Sequence, residues 1–125
     1  RGCDIGQHTA FALAPETRGC GATNVSSGGL EAGQKIPVGP SYQVPLARQI
    51  KQAVSIPVVA VGLITEPEQA EAIIATGDAD LVGVARIITY DPRWPWHAAA
   101  RPQATVTAPP QYLRSQPSHL RNLVK

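Results

Sequence analysis

Apolar residues change their spacing several times along this chain, and each change marks an element. Pro57-Val-Val-Ala-Val-Gly62 is a short β-branched run bounded by proline and glycine, the pattern of a strand covered on both faces. Thr65-Glu-Pro-Glu68 follows it with a hydroxyl at the N-cap, a proline in the first turn and a glutamate at N3, a capping box that predicts a helix start. Ala70, Ile73 and Ile74 then form one apolar stripe at helical spacing, and Gly77 supplies a left-handed residue to end a helix of about 10 to 12 residues. Leu81-Val-Gly-Val-Ala85 predicts a second buried strand. Strand, helix and strand so close together make a βαβ unit, whose strands are parallel.

The same alternation extends in both directions. Upstream, Leu46, Ile50, Ala53 and Val54 share a face within 41–54, Pro45 suits a first turn, and Arg48, Lys51 and Gln52 are expected to face water. Before it, Thr23-Asn-Val-Ser26 predicts a short strand. Downstream, 92–101 reads as a helix after an aromatic start, with Ala98, Ala99 and Ala100 as strong helix formers. The order βαβαβα, followed by a proline-rich tail, predicts an α/β protein with a parallel sheet. Three strands do not close a (β/α)8 barrel, which usually takes about 250 residues. The sheet is therefore either open in its own right or part of something larger.

Composition narrows the classes of function. The 125 residues carry 11 basic and 9 acidic side chains, a formal charge of +2 without any basic block, which argues against nucleic acid as a partner. The longest apolar stretch, 56–64, falls far short of the roughly 20 residues of a bilayer-spanning helix, and 1–16 lacks the order of a secretory signal. A soluble, cytoplasmic protein with no membrane partner is expected. Cys3 and Cys20 have no second pair at ligand spacing, so they read as reduced thiols and no metal site is expected.

Chemistry in parallel α/β folds gathers where strands end and helices begin. Two such places stand out. Gly62-Leu63-Ile64 directly follows the apolar run, where a glycine lets a phosphate approach the backbone, and Ala85-Arg86 directly follows the next strand, where a guanidinium is suited to grip a phosphate with two parallel hydrogen bonds. The bland alternatives are an ordinary turn and a solvated arginine. Val25-Ser-Ser-Gly-Gly-Leu30 is a third strand-end loop; composition alone favours a plain turn. His97, in the aromatic helix, is expected to be a packing residue.

Taken together, Val-Ser-Ser-Gly-Gly at 25–29, Pro-Ser-Tyr-Gln-Val-Pro-Leu at 40–46, Val-Ala-Val-Gly-Leu-Ile at 59–64, Ala-Asp-Leu-Val at 79–82 and Tyr-Asp-Pro-Arg-Trp-Pro-Trp-His-Ala-Ala at 90–99 resemble the C-terminal portion of the NADH:flavin oxidoreductase, or Old Yellow Enzyme, family, nearest its bacterial YqjM-type branch. The resemblance implies three βα units, over 18–108, of a (β/α)8 TIM barrel that binds FMN. It leaves 1–17 unmatched and 109–125 as a C-terminal tail. It further implies an oxidoreductase passing a hydride from NADPH or NADH through FMN to an activated alkene, and a homo-oligomeric full-length parent. By position, Gly62, Leu63, Ala85 and Arg86 would hold the FMN phosphate, and Ser26 and Ser27 would line the barrel mouth.

Many family members have glycine where this chain has Ala85, which narrows the room for a phosphate. The family's flavin-contacting cysteine and tyrosine, its substrate-binding histidine pair and its proton-donating tyrosine have no counterpart here. No catalytic residue is therefore assigned, and a truncated, noncatalytic fragment that binds phosphate or self-associates is the alternative expectation. The tail segment Gln111-Tyr112-Leu113-Arg114 is either an element exchanged between subunits or a cap on the barrel's own surface.

Overall fold

The computed structural model describes residues 4–125; Cys3, read above as a reduced thiol, lies outside them. The chain divides into two compact units, 1–84 and 85–125.

The first unit is a three-stranded parallel sheet with helices between its strands. Its elements are α1 (Ile5–Glu16), β1 (Thr23–Val25), α2 (Val44–Lys51), β2 (Val58–Ala60), α3 (Pro67–Ala75) and β3 (Leu81–Val82). The strands lie in the order β1-β2-β3, with Val25 opposite Ala60 and Ala60 opposite Val82. The strand-helix alternation predicted from the apolar runs is thus present, with shorter strands.

The core lies where α2 and α3 cover β2. Val58 and Ala60 are fully buried, as are Ala47 and, at 2% exposure, Ile50; Ile64, Ile73 and Ala79 complete the cluster. The buried face of α2 is Val44, Ala47 and Ile50, at three-residue spacing. Leu46 and Val54 are only half-buried and Ala53 is exposed, so the predicted face is rotated toward Val44.

Several expectations need correction. Helix α3 begins one residue later than the Thr65 capping box implied: Glu66 is the N-cap, and Gln69 reaches back to accept from the amides of Thr65 and Glu66, both at 3.0 Å. A glutamine at N3 of Glu66 does what Glu68 was expected to do for Thr65. Gly77 does end this helix in the left-handed region (φ +73°), but Ile74 is 41% exposed, because only Ile73 and Ala70 face the sheet. Leu81 is 52% exposed, since β3 lies at the end of the sheet. Arg48 and Lys51 do not simply face water; both are paired, as described below.

Residues 1–17, which matched no pattern, contain an ordered helix. Asp4 and Gln7 form its capping box: the Gln7 amide donates to Asp4 Oδ1 (2.8 Å) and the Asp4 amide to Gln7 Oε1 (3.0 Å). Ala12 of α1 is buried in the same core, with Ile5 packed against it.

The second unit contains α4 (Arg86–Tyr90), α5 (Trp94–Ala100) and two 3-10 turns, Pro110–Ser115 and Ser118–Leu120. Its chain end folds back on it. Val106 pairs with Val124, and the Gln116 side chain brackets Val124 by accepting from its amide (2.9 Å) and donating to its carbonyl (3.0 Å). The Arg93 guanidinium lies 4.7 Å from the Trp96 ring centroid and 5.0 Å from that of Tyr112, which meets Trp96 edge-on at 5.5 Å. Tyr112 therefore packs on its own chain's aromatic helix. His97 is not a packing residue: its side chain is 63% exposed, and Nδ1 lies 2.7 Å from Asp91 Oδ2.

Candidate functional site

Parallel strands bring their C-terminal ends to one edge, and in the first unit this edge carries four of the six residues singled out by sequence. Ser26 and Ser27 follow β1; Gly62 and Leu63 follow β2, separated from the paired Ala60 by Val61 alone. Ser26 and Ser27 also line a cleft of about 300 Å³ together with His8, Phe11 and Leu46.

The turn after β2 is held in a conformation that few residues adopt. Gly62 has φ +113° and Leu63 has φ +54°. A Cβ on Gly62 would stand 3.0 Å from both the backbone nitrogen and the Cβ of Gln43, so glycine is required here by the chain itself. A leucine in the left-handed region is strained by roughly 1–2 kcal/mol, and such strain clusters at functional positions. Among the described residues, neither the Gly62 nor the Leu63 amide donates to any acceptor. Two adjacent amides left without acceptors are the donor chemistry an anion needs.

Gln43 was missed. In the sequence it is one residue of the 40–46 motif, just ahead of a helix start, where a solvated glutamine is the default. In the structure it is 4% exposed. Its Nε2 donates to the Ser27 carbonyl (3.0 Å) and the Tyr42 hydroxyl oxygen (2.6 Å), and Oε1 has no partner. It therefore touches both strand-end loops. No local signal announces this, because the contacts are 16 and 19 positions away in sequence.

Ala85 and Arg86 open the second unit. They were expected in a loop directly after a strand; instead β3 stops at Val82, and Ala85 is the N-cap of α4 with Arg86 its first residue. The Gly83 amide ends the ladder by donating to Ala60 O (2.7 Å), and its missing side chain leaves room for Val61, which a Cβ would meet at 2.8 Å. Arg86 is exposed and forms no ion pair among the described residues.

The opposite edge of the sheet carries two ion pairs. Arg48 makes a two-pronged contact with Asp78, Nε to Oδ1 at 2.5 Å and Nη2 to Oδ2 at 2.9 Å. Lys51 donates to Asp80 Oδ1 at 2.6 Å, and the Val58 amide to Asp80 Oδ2 at 2.9 Å. The hydrogen bond from Arg48 holds the Asp78 carboxyl below the usual carboxylate range and raises the guanidinium's own value; that from Lys51, helped by the Val58 amide, lowers Asp80.

These features define an α/β protein with acceptor-free backbone amides at the strand ends and ion pairs at the opposite edge. The chain belongs to the NADH:flavin oxidoreductase / NADH oxidase family, the Old Yellow Enzyme family, whose sequence model matches residues 29–103. It is similar to an NADPH dehydrogenase of Geobacillus sp., 40% identical over 113 residues, covering 90% of this chain and 33% of the relative. It also resembles those of Bacillus licheniformis, 39% over 115 residues (92% and 34%), and Halalkalibacterium halodurans, 48% over 80 residues (64% and 24%). The chain spans about a third of the length of the first two of these relatives. No helix among the described residues is long and apolar enough to cross a membrane.

Proposed function

We propose that this chain supplies the phosphate side of the flavin site in an FMN-dependent, cytoplasmic NADPH oxidoreductase, its sheet being three successive strands of a (β/α)8 barrel of the YqjM-type branch. Family membership and the NADPH dehydrogenase relatives support the activity. The observation that carries the site is the pair of acceptor-free amides at Gly62 and Leu63 on the C-terminal edge of a parallel sheet. When bound, FMN would carry hydride between NADPH and an electron-poor alkene; the protein's part is binding, orientation and field.

In this reading the Gly62 and Leu63 amides hold the phosphate oxygens, and Ser26 and Ser27 line the approach to the flavin. Ala85 and Arg86 are assigned phosphate-binding roles by their place in the family pattern, the arginine through its exposed side chain. Proton donation to the alkene belongs to parts of the family pattern without counterpart in these residues. The 125-residue chain alone is accordingly expected not to oxidise NADPH in the presence of FMN.

Arg86→Ala in a full-length family enzyme carrying these residues tests the assignment. FMN retention, read as the dissociation constant from flavin fluorescence, should weaken by roughly 1.5–3 kcal/mol, the usual worth of a hydrogen bond to a charged group. Unchanged retention removes Arg86 from the site.

A further inference from the structure

The chain's formal charge of +2 hides an uneven distribution. Of its 9 acidic residues only Asp91 lies in the second unit, which holds Arg86, Arg93, Arg101, Arg114, Arg121 and Lys125 of the 11 basic ones. Residues 92–125 contain no aspartate or glutamate. Asp91 itself is engaged, accepting from the Arg93 amide at 3.0 Å and lying 2.7 Å from His97 Nδ1. Two of the arginines, Arg101 and Arg121, line one open cleft of about 430 Å³ together with His119, Gln103 and Asn122.

Both walls of the cleft are fastened. One continues from the end of α5, where Gln103 sits in the left-handed region (φ +56°) and the Ala104 amide turns back to Ala99 O (2.9 Å). The other is the chain end, anchored by the buried Leu123 and Val124. The Thr105 hydroxyl donates to Asn122 O (3.2 Å) and the Val106 amide to Leu123 O (2.7 Å), so two segments distant in sequence are tied together.

Arginines stay charged at any ordinary pH, and holding two beside one cleft costs free energy that water only partly screens. For Arg101 there is a local reason: it is the C-cap of α5, where a cation complements the carbonyl end of the helix. Arg121 and His119 have no such reason. They belong to the single 3-10 turn Ser118–Leu120 and its C-cap, too short to build a helix dipole, and neither forms an ion pair among the described residues.

We propose that this cleft is a second binding site, for a small multivalent oxyanion whose negative groups reach Arg101 and Arg121 together. Guanidinium forks suit phosphate or carboxylate oxygens, and the Gln103 and Asn122 amides and the His119 imidazole add donors. A volume of about 430 Å³ lies in the range of small-molecule sites. The site lies wholly in the second unit and is independent of the flavin reading.

The test uses the 125-residue chain and backbone amide NMR at constant ionic strength, with pyrophosphate and citrate as probes for a phosphoryl and a carboxylate source. Amide signals tell the two sites apart: inorganic phosphate at the strand ends should shift those of Gly62 and Leu63, and an anion in the cleft those of Gln103, Ala104 and Asn122. At least one probe should shift the second set saturably where sodium chloride of equal ionic strength does not, and the tighter of the two identifies the source. R121Q should weaken that binding about tenfold, the scale of one charge-assisted hydrogen bond partly screened by water. R121K, which keeps the charge without the fork, should fall between. R114Q removes the same charge outside the cleft and should change binding by less than about twofold. Absence of shifts with both probes overturns the proposal, as does binding by R121Q equal to that of the unaltered chain. So do equal losses in R114Q and R121Q, which would reduce the effect to net charge, and loss of Val106 and Val124 amide protection in R121Q, since the arginine would then be holding the chain end.

Discussion

The two edges of the sheet in the first unit obey opposite rules. At the edge where strands begin, charges are paired and anchored: Arg48 with Asp78, Lys51 with Asp80, Asp80 with the Val58 amide, and Glu16 of α1 with the backbone and hydroxyl of Ser55. At the edge where strands end, the Gly62 and Leu63 amides and Gln43 Oε1 lack partners among the described residues, and two backbones, at Ser41 and Leu63, are in the left-handed region. Satisfied polar groups stabilise a fold and give a ligand nothing to bind; unsatisfied ones cost stability and are available. In barrels built from such units the same division separates a stabilising face from a catalytic one.

The largest expected effect comes from the residue beneath both edges. Ile50 is 2% exposed in the core between α2 and the sheet. Ile50→Ala should cost about 2–5 kcal/mol, read by chemical denaturation, and should damage both edges together. A loss confined to one edge would show that they fold independently. Next comes Asp78→Ala, which breaks the two-pronged contact with Arg48. Removing a hydrogen-bonded charge costs roughly 1.5–3 kcal/mol, discounted here because the Arg48 side chain is 55% exposed and water can take over its charge. Its melting temperature should fall while the phosphate-induced shifts at Gly62 and Leu63 stay as they were. Loss of those shifts would break the comparison.

The difference between the edges also explains what could be read from the sequence. β-branched runs and their bounding prolines and glycines reveal strands, because burial on both faces imposes composition locally; β2 and its neighbours were legible for that reason. The place of Gly62 and Leu63 just after a strand was legible because the β-branched run stops at the glycine. The pairings of Arg48 with Asp78 and of Lys51 with Asp80 join residues about thirty positions apart, and helical spacing predicts only that such side chains point away from the core. Gln43 was invisible for the same reason. The α1 helix lacks a dominant apolar stripe, with Phe11 72% and Leu13 41% exposed, so periodicity gave no sign of it.

Gly62→Ala acts on the open edge alone. The φ of +113° and the 3.0 Å approach to Gln43 leave no relaxed place for a methyl group, and the cost is about 1–2 kcal/mol. Phosphate response should fall much further than stability, the reverse of Asp78→Ala. Equal losses in both variants would mean that the turn serves stability only.

The smallest effect, and the one that isolates the paired edge, is the response to acid. Asp78 and Asp80 both have folded-state values below the ordinary carboxylate value of 3.8. A group depressed in this way favours the folded chain above its unfolded value, and that contribution disappears as pH falls through the lower folded value. Stability should therefore hold down to about pH 4 and decline below it. Asp80→Asn keeps an oxygen for the Val58 amide while removing the charge that attracts Lys51. Thermal melts across this range should show a lower stability at neutral pH in Asp80→Asn and a shallower acid decline, the two chains converging where Asp80 is protonated. Added salt should reproduce part of the effect, because the Lys51 and Asp80 side chains are 31% and 39% exposed and their attraction is screened. The Arg48–Asp78 contact, with Asp78 only 11% but Arg48 55% exposed, should lose less to salt than the outer pair and still lose some. An unchanged acid decline in Asp80→Asn would assign the whole pH response to the Arg48–Asp78 contact and leave the outer pair without a part in it.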